Sequence, residues 1–294
     1  MPLELHQLRY FVAVAETGSF TRAAEREGIT QPTLSEQILR LESKQHGVGQ
    51  RLFDRLGRKV VLTEAGQRLL QYAHQILAAV QEAERTVQDC GEQSQLRVGA
   101  IPTIAPFVLP AVLARFRQQH PLVQVQLLED VTERLVAALR NGELDVGVMA
   151  LPLRDDHLHV ERLWSEPLVA ALPAQHRLIS RDALRWADLK DEPFILLDDV
   201  HCLGDQVLSL CRQGGVEPKV VCRGEQIVTL LALVAAGQGV TIVPEMAAAS
   251  NWGQGCVFRS LVRPVPHRTL CAVWHKHRYR PAVLRHFIAL LRKD

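Results

Sequence analysis

The side chains in this 294-residue chain best placed to do chemistry are two cysteines nine positions apart, Cys202 and Cys211. They lie in Asp198-Asp199-Val200-His201-Cys202-Leu203-Gly204-Asp205-Gln206-Val207-Leu208-Ser209-Leu210-Cys211. Val207, Leu208, Leu210 and Cys211 recur at helical spacing, Asp198 or Asp199 can cap the start, and Gly214-Gly215 can stop it. The stretch therefore predicts a short amphipathic helix opening near Cys202. On a helix, nine residues advance the chain by about 13.5 Å and leave it about half a turn out of phase. A disulfide tolerates Cα separations of only about 4.4 to 6.8 Å, so bridging the pair requires the helix to unwind or bend. A bond that forms only by refolding its own element is a two-state switch. A cysteine in a first helical turn, next to His201, feels the positive end of the backbone dipole, which favours the thiolate that attacks peroxide. The same spacing also fits two buried, inert cysteines in a core helix.

The elements that must position this pair belong to a chain of 47% hydrophobic residues, long enough for two or three compact units. Met-Pro-Leu-Glu-Leu-His carries an acid where a signal peptide carries positive charge, and the longest apolar-rich run, Ile227 to Ala236, is too short to span a bilayer. The expected compartment is the cytoplasm, with no membrane partner. There the six cysteines (Cys90, Cys202, Cys211, Cys222, Cys256, Cys271) stay reduced, and any disulfide is transient and regulatory. No Cys-x-x-Cys pair exists, and His157/His159 or His275/His277 lack a matching second cluster, so no metal or other cofactor is expected. A formal net charge of only +2 means that nucleic-acid binding has to be argued from where the charges lie.

Residues 1–62 supply such an argument. Leu5 to Thr17 predicts a helix ended by Gly18, and Ser19 caps a second over Phe20 to Glu27 that Gly28 ends. Thr30 caps a third helix, with Pro32 in its first turn and Leu34, Ile38 and Leu41 facing inward. Thr30, Gln31, Pro32, Thr33, Ser35, Gln37 and Arg40 line its start and outer stripe, as in a helix-turn-helix whose second helix enters the major groove. Arg51 to Leu62 fits a β-hairpin wing with Arg55, Arg58 and Lys59 near its turn, where phosphate would lie. A solvated basic loop is the plainer reading of those cations. Over residues 63–91, Leu69, Ala73, Ile76, Val80, Ala83 and Val87 form a heptad seam on one long helix that Thr63 caps. The seam wants either a second copy, giving a symmetric dimer on a roughly palindromic site, or a face of its own chain.

Strands and helices alternate over residues 92–294, which predicts an α/β unit with largely parallel sheets. The closing strand and helix return to the first half, so two lobes are expected, about 92–165 with 268–294 and about 166–267. Thr103 and Thr132 fall at strand ends, where ligands collect in open α/β folds, although a loop hydroxyl and a helix cap explain them as well.

The phrases Phe20-Thr21-Arg22-Ala23-Ala24, Gln31-Pro32-Thr33-Leu34-Ser35, Gln37-Ile38, Leu41-Glu42, Leu52-Phe53, Arg55 and Leu62-Thr63-Glu64-Ala65-Gly66 resemble the winged helix-turn-helix of LysR-type transcriptional regulators. Ser43 to Arg51 is a departure, lengthened and lacking that family's leucine. The resemblance implies a linker dimerisation helix and a two-lobed effector unit like periplasmic binding proteins. Ile101-Pro102-Thr103, Thr132, His201-Cys202-Leu203, Asp205-Gln206, Cys211, Ala235-Ala236-Gly237, Gly239, Thr241, Pro244 and Arg268-Thr269 further resemble the family's hydrogen-peroxide-responsive members. That likeness implies Cys202 as the peroxide-attacking cysteine and Cys211 as the resolving one. It implies a peroxide pocket of Thr103, Thr132, His201, Asp205 and Arg268. Implied partners are double-stranded DNA, hydrogen peroxide, further copies as homodimer or homotetramer, RNA polymerase and a thiol reductant. Those relatives commonly carry arginine where this chain has Gly204, and some carry histidine where it has Val221. The missing cation leaves a slower sensor expected, with Arg268 or Arg223 as compensating charges. Other readings are a regulator with a small organic effector between the lobes and structural cysteines, and, against the helix-turn-helix, a thiol peroxidase or a solute-binding subunit.

Overall fold

A computed structural model describes residues 3–56, 59–88, 95–198 and 202–292. The chain divides into two compact units, one dominated by residues 1–91 and the other by the rest.

In the first unit α1 (Leu5–Thr17) ends at Gly18 and α2 (Phe20–Glu27) at Gly28, both with positive φ (61° and 69°), the left-handed region that glycine enters without strain. Ser19 caps α2 by accepting from the Arg22 N–H, and Thr30 caps α3 (Gln31–Glu42) by accepting from Thr33. Leu8, Phe11, Ala23, Ala24, Leu34, Ile38, Leu41 and Phe53 close one small core, which fixes the orientation of α3. The wing is an antiparallel pair, β1 (Phe53–Leu56) and β2 (Lys59–Leu62), in register from Phe53 opposite Leu62 to Leu56 opposite Lys59. The lengthened 43–51 segment is tied at both ends. The Val48 N–H donates to Leu41 O at 2.7 Å, and Glu42 Oε1 accepts from the Leu52 and Phe53 N–H groups at 2.7 and 3.2 Å. A Cβ on Gly47 would fall 1.9 Å from Leu41 O, so only glycine lets the chain pass there.

The long helix α4 (Glu64–Gln88) starts where Thr63 Oγ1 accepts from the Gly66 N–H. The expected seam divides. Leu69 and Ala73 pack on the core of their own unit together with Leu70 and Leu77, while Ile76 and Tyr72 are exposed. The side chain of Val87 lies outside the described residues.

The second unit follows in order: β3 (Gln95–Ala100), α5 (Ala105–Gln119), β4 (Gln124–Glu129), α6 (Thr132–Asn141), β5 (Val146–Ala150), β6 (Leu158–Pro173), β7 (Ala183–Leu184) and β8 (Pro193–Leu197). Then come α7 (Cys202–Gln213), β9 (Lys219–Gly224), α8 (Ile227–Ala235), β10 (Thr241–Pro244), α9 (Glu245–Ala248), β11 (Cys256–Leu261), β12 (His267–His275) and α10 (Ala282–Leu291). One sheet runs β4-β3-β5-β12-β6-β11-β7, with β10 also paired to β6. The β8-β9 pair joins β10 through a bridge from Phe194 to Val240.

The expectation of largely parallel sheets is corrected by the two strands that pass between lobes. β3, β4 and β5 are parallel neighbours, as are β8 and β9, but β12 runs antiparallel to both β5 and β6. β6 changes partners along its length: Leu158 to Pro167 pairs with β12, and Leu168 to Pro173 with β10 and β11. Each lobe has its own core, around Val98, Phe116, Val148 and Phe287 in lobe I and Phe194, Val207, Cys211, Leu231 and Val243 in lobe II.

Candidate functional site

Cys202 is the first residue of α7, and its thiol is half-buried. Its sulfur lies 3.1 Å from Thr132 Oγ1, itself buried at the first turn of α6, so the positive ends of two helix dipoles meet at the sulfur. Thr132 was equally readable as a mere helix cap; the hydroxyl instead bonds across to the thiol. Cys211, in the same uninterrupted helix, is fully buried in the lobe II core. Burial, and next Glu217, push its thiol up to about 11, so at neutral pH it is a protonated, sequestered group. Helix geometry holds the two cysteines about 13.5 Å apart along the axis.

Gly204 is buried in the first turn of α7. A Cβ there would stand 2.7 Å from Leu197 O and 3.1 Å from Asp198 O, at the end of β8. Leu197 O also accepts from Arg223 Nη1 at 3.5 Å, so that guanidinium binds the strand end beneath the helix.

Thr103 and Arg268, two more of the expected pocket residues, are bonded to each other. Arg268, 2% exposed, donates through Nη1 and Nη2 to Thr103 Oγ1 and O, both at 3.0 Å, and through Nε to Glu166 Oε1 at 2.7 Å. Burial lowers its guanidinium from the usual value and Glu166 opposes that shift. The other Glu166 oxygen accepts from the Met246 N–H at 3.2 Å. Glu166 thus neutralises the Arg268 charge within the pair. Glu166 was not singled out from the sequence, although a carboxylate heading the buried run from Leu168 to Leu172 has to be paired, and that was the available signal.

Of the other two expected pocket residues, the structure describes one. Asp205 is exposed on the first turn of α7, where a carboxylate is favoured by the helix dipole. Gln206, next to it, reaches the start of β12, its Nε2 donating to His267 O at 3.1 Å. His201 lies outside the described residues. Among the other cysteines, Cys271 is buried with its thiol pushed up to about 12, while Cys222 and Cys256 are half-buried in or against the lobe II core. Cys90 lies outside the described residues. Among the described residues no group of three histidines, cysteines or acids could hold a metal ion, and no helix is long and apolar enough to cross a membrane.

In the helix-turn-helix, Thr30, Gln31, Pro32 and Thr33 are exposed at the start of α3 and Arg40 toward its end, with Ser35 half-buried. Arg40 pairs with Glu36 at 2.8 Å. Gln37 is turned toward α1, its Oε1 within 3.1 Å of His6 Nε2 and 3.2 Å of Gln7 Nε2, so it anchors α3 as much as it faces outward. Arg55 and Lys59 belong to the wing strands, but their side chains, like Arg58 as a whole, lie outside the described residues.

A further space lies between the lobes. It measures about 320 Å3 and is lined by Pro102, Phe107, Glu129, Ile227, Val228 and Trp252.

Comparison with known proteins follows the same division. Residues 5–67 match the family described as bacterial regulatory helix-turn-helix protein, lysR family, and residues 90–294 match the LysR substrate binding domain. The hydrogen peroxide-inducible genes activator of Escherichia coli O6:H1 is 34% identical over 282 residues, 95% of this chain and 90% of that protein. The Hca operon transcriptional activator HcaR of Escherichia coli K12 is 37% identical over 294 residues, 99% of this chain and 98% of that protein. Among solved structures, a full-length OxyR from Pseudomonas aeruginosa with a cysteine-to-aspartate change superposes with a TM-score of 0.78 at 29% identity, covering 99% of this chain and 95% of that one.

Proposed function

The chain belongs to the LysR family of bacterial regulatory helix-turn-helix proteins, and we propose that within it this protein senses hydrogen peroxide through a reversible Cys202–Cys211 thiol-disulfide switch. The observation that carries the proposal is the Cys202 sulfur held at a helix start against Thr132, with Cys211 buried in the same helix.

The cycle balances as follows. The Cys202 thiolate attacks one oxygen of peroxide, the O–O bond breaks, and hydroxide leaves to be protonated to water. Cys202 is then a sulfenic acid. Cys211 loses its thiol proton and attacks that sulfur, the S–S bond forms, and the S–O bond breaks to release a second water. Two thiols have been oxidised and one peroxide reduced. Thr132 steadies the attacking sulfur, and Thr103, held by Arg268, offers a second hydroxyl wall for peroxide. Disulfide formation requires α7 to unwind, which withdraws Val207 and Cys211 from the lobe II core and alters the surface of that lobe. The protein is spent once per event and reset by a thiol reductant, as suits a regulator rather than a peroxidase.

Two or four copies, joined through exposed positions of α4 such as Tyr72 and Ile76, would present paired α3 helices to a roughly palindromic promoter site and act on RNA polymerase there. The compartment is a reducing cytoplasm.

The test compares DNA footprints before and after peroxide for wild type and Cys202→Ser. A shift in wild type alone is expected. An equal shift in both would overturn the proposal. The space lined by Phe107 and Trp252, and the likeness to HcaR, favour one second reading, a regulator answering to a small organic effector between the lobes. A response that survives loss of both Cys202 and Cys211 would select it.

A further inference from the structure

We infer that Gly204 sets the threshold of the switch by letting the Cys202-bearing turn of α7 seat directly on the end of β8. This rests on the thiol-disulfide reading but adds a positioning residue to it. A Cβ at 204 would lie 2.7 Å from Leu197 O and 3.1 Å from Asp198 O, and both obstacles are backbone atoms that no side-chain rotation can clear. The strand end cannot simply retreat. Leu197 O holds Arg223, and the Asp198 N–H donates to Gly224 O at 3.0 Å, so β9 fastens the same residues from the other side. On either side of Gly204, Leu203 and Val207 are buried in the lobe II core and resist the same displacement.

Any side chain at 204 must therefore lift the first turn off the strand. Lifting it loosens the turn that has to unwind for Cys202 to reach Cys211. Glycine keeps the reduced helix closed, and the switch then needs more oxidant to form its disulfide. Gly204 acts through the backbone, not on peroxide, so the attack on peroxide and the bridging step should respond differently to substitution.

Gly204→Ala separates this inference from ordinary helix behaviour, because the two predict opposite signs. Helix propensity alone makes alanine better than glycine by about fivefold in the closed helix. Seating on the strand end makes it worse. In reduced Gly204→Ala, the amides of Gln206 to Leu208 should exchange with deuterium about tenfold faster than in wild type, with β12 unchanged. In a glutathione redox buffer, the Cys202–Cys211 disulfide should form at about a tenfold lower ratio of oxidised to reduced glutathione. In a Cys211→Ser background the rate of Cys202 sulfenic acid formation should fall, by no more than the roughly tenfold that loss of the Thr132 contact costs, while the disulfide equilibrium moves the other way. Slower exchange, or a disulfide equilibrium moved toward the thiols, overturns the inference.

Wild-type protein gives a check that needs no variant. The amides of Gln206 to Leu208 should exchange no faster than those of Leu210 to Arg212, and a first turn tenfold faster would overturn the seating argument. The glutathione titration uses no peroxide. Wild type that never bridges Cys202 to Cys211 in it refutes the switch reading, while exchange within α7 still decides whether Gly204 seats the helix.

Discussion

Thr132 Oγ1 lies 3.1 Å from Cys202 Sγ, so the first turn of a lobe I helix touches the first turn of a lobe II helix through one hydroxyl and one thiol. Thr132→Val keeps the shape and removes the hydroxyl. Losing one such bond costs about 0.5–1.5 kcal/mol, or roughly two- to tenfold in rate if the bond steadies the attacking sulfur. Stopped-flow measurement of Cys202 sulfenic acid formation in a Cys211→Ser background should show that slowing. An unchanged rate would reduce Thr132 to a structural contact.

Glu166 and Arg268 are cross-strand partners on β6 and β12 and form a buried ion pair at 2.7 Å. Glu166→Ala leaves a buried cation unpaired and should destabilise the effector unit by about 3–5 kcal/mol in urea unfolding. Glu166→Leu with Arg268→Met should recover most of that loss. A double variant as unstable as the single would show that the pair contributes more than its mutual neutralisation.

Cys211 predicts both a reactivity and a pH dependence. Its buried thiol should resist alkylation at pH 8 in the reduced protein while Cys202 reacts. Its folded-state pKa of about 11 lies above the ordinary thiol value of 9.0, and that of Cys271 is about 12. Between pH 9 and 11 the unfolded chain sheds these protons while the folded chain keeps them, so stability is intact below pH 9 and is lost as pH rises through that window. Cys211→Ser should flatten the loss in chemical denaturation measured at pH 8, 9, 10 and 11. An identical profile would mean that Cys211 is solvated in the folded protein.

On α3, Arg40 and Gln37 should separate. Arg40 is exposed and paired with Glu36, so Arg40→Ala should weaken binding evenly across DNA sequences and lower the salt slope by about 1 if it contacts phosphate. Gln37→Ala should lower the thermal stability of the DNA-reading unit as well, because its amide holds His6 and Gln7 of α1. Filter binding over a salt series together with thermal unfolding distinguishes the two, and an unaltered melting temperature in Gln37→Ala would refute the anchoring role.

Much of this architecture was legible because local chemistry wrote it. Gly18, Ser19, Gly28 and Thr30 mark the helix ends, and α7 runs from Cys202 to Gln213 as its periodicity predicts. What escaped the sequence depends on distant partners. The first half of β6 carries His159, Glu161 and Arg162 amid its apolar residues and reads as a loop until β12 pairs with it. β9, with Val220 and Val221 exposed, and the short β11 gave no clear alternation either. In the site, the cysteines and threonines stood out by type and position. Glu166 did not, because its partner is 102 positions away. The meaning of Gly204 also stayed hidden. The sequence offers only a missing cation, whereas the fold puts two carbonyl oxygens where any side chain would begin.

β6 exchanges β12 for β10 and β11 at Pro167 and Leu168, so a single covalent strand serves both lobes. Pro167 brings no N–H to the ladder opposite His267, and the next N–H, that of Leu168, donates to Pro266 O at 2.8 Å. The lobes are thus coupled through strands that run from one into the other, so a change in one bears on the angle it makes with its neighbour. A local loss of helix at Cys202 would be read out as an angle.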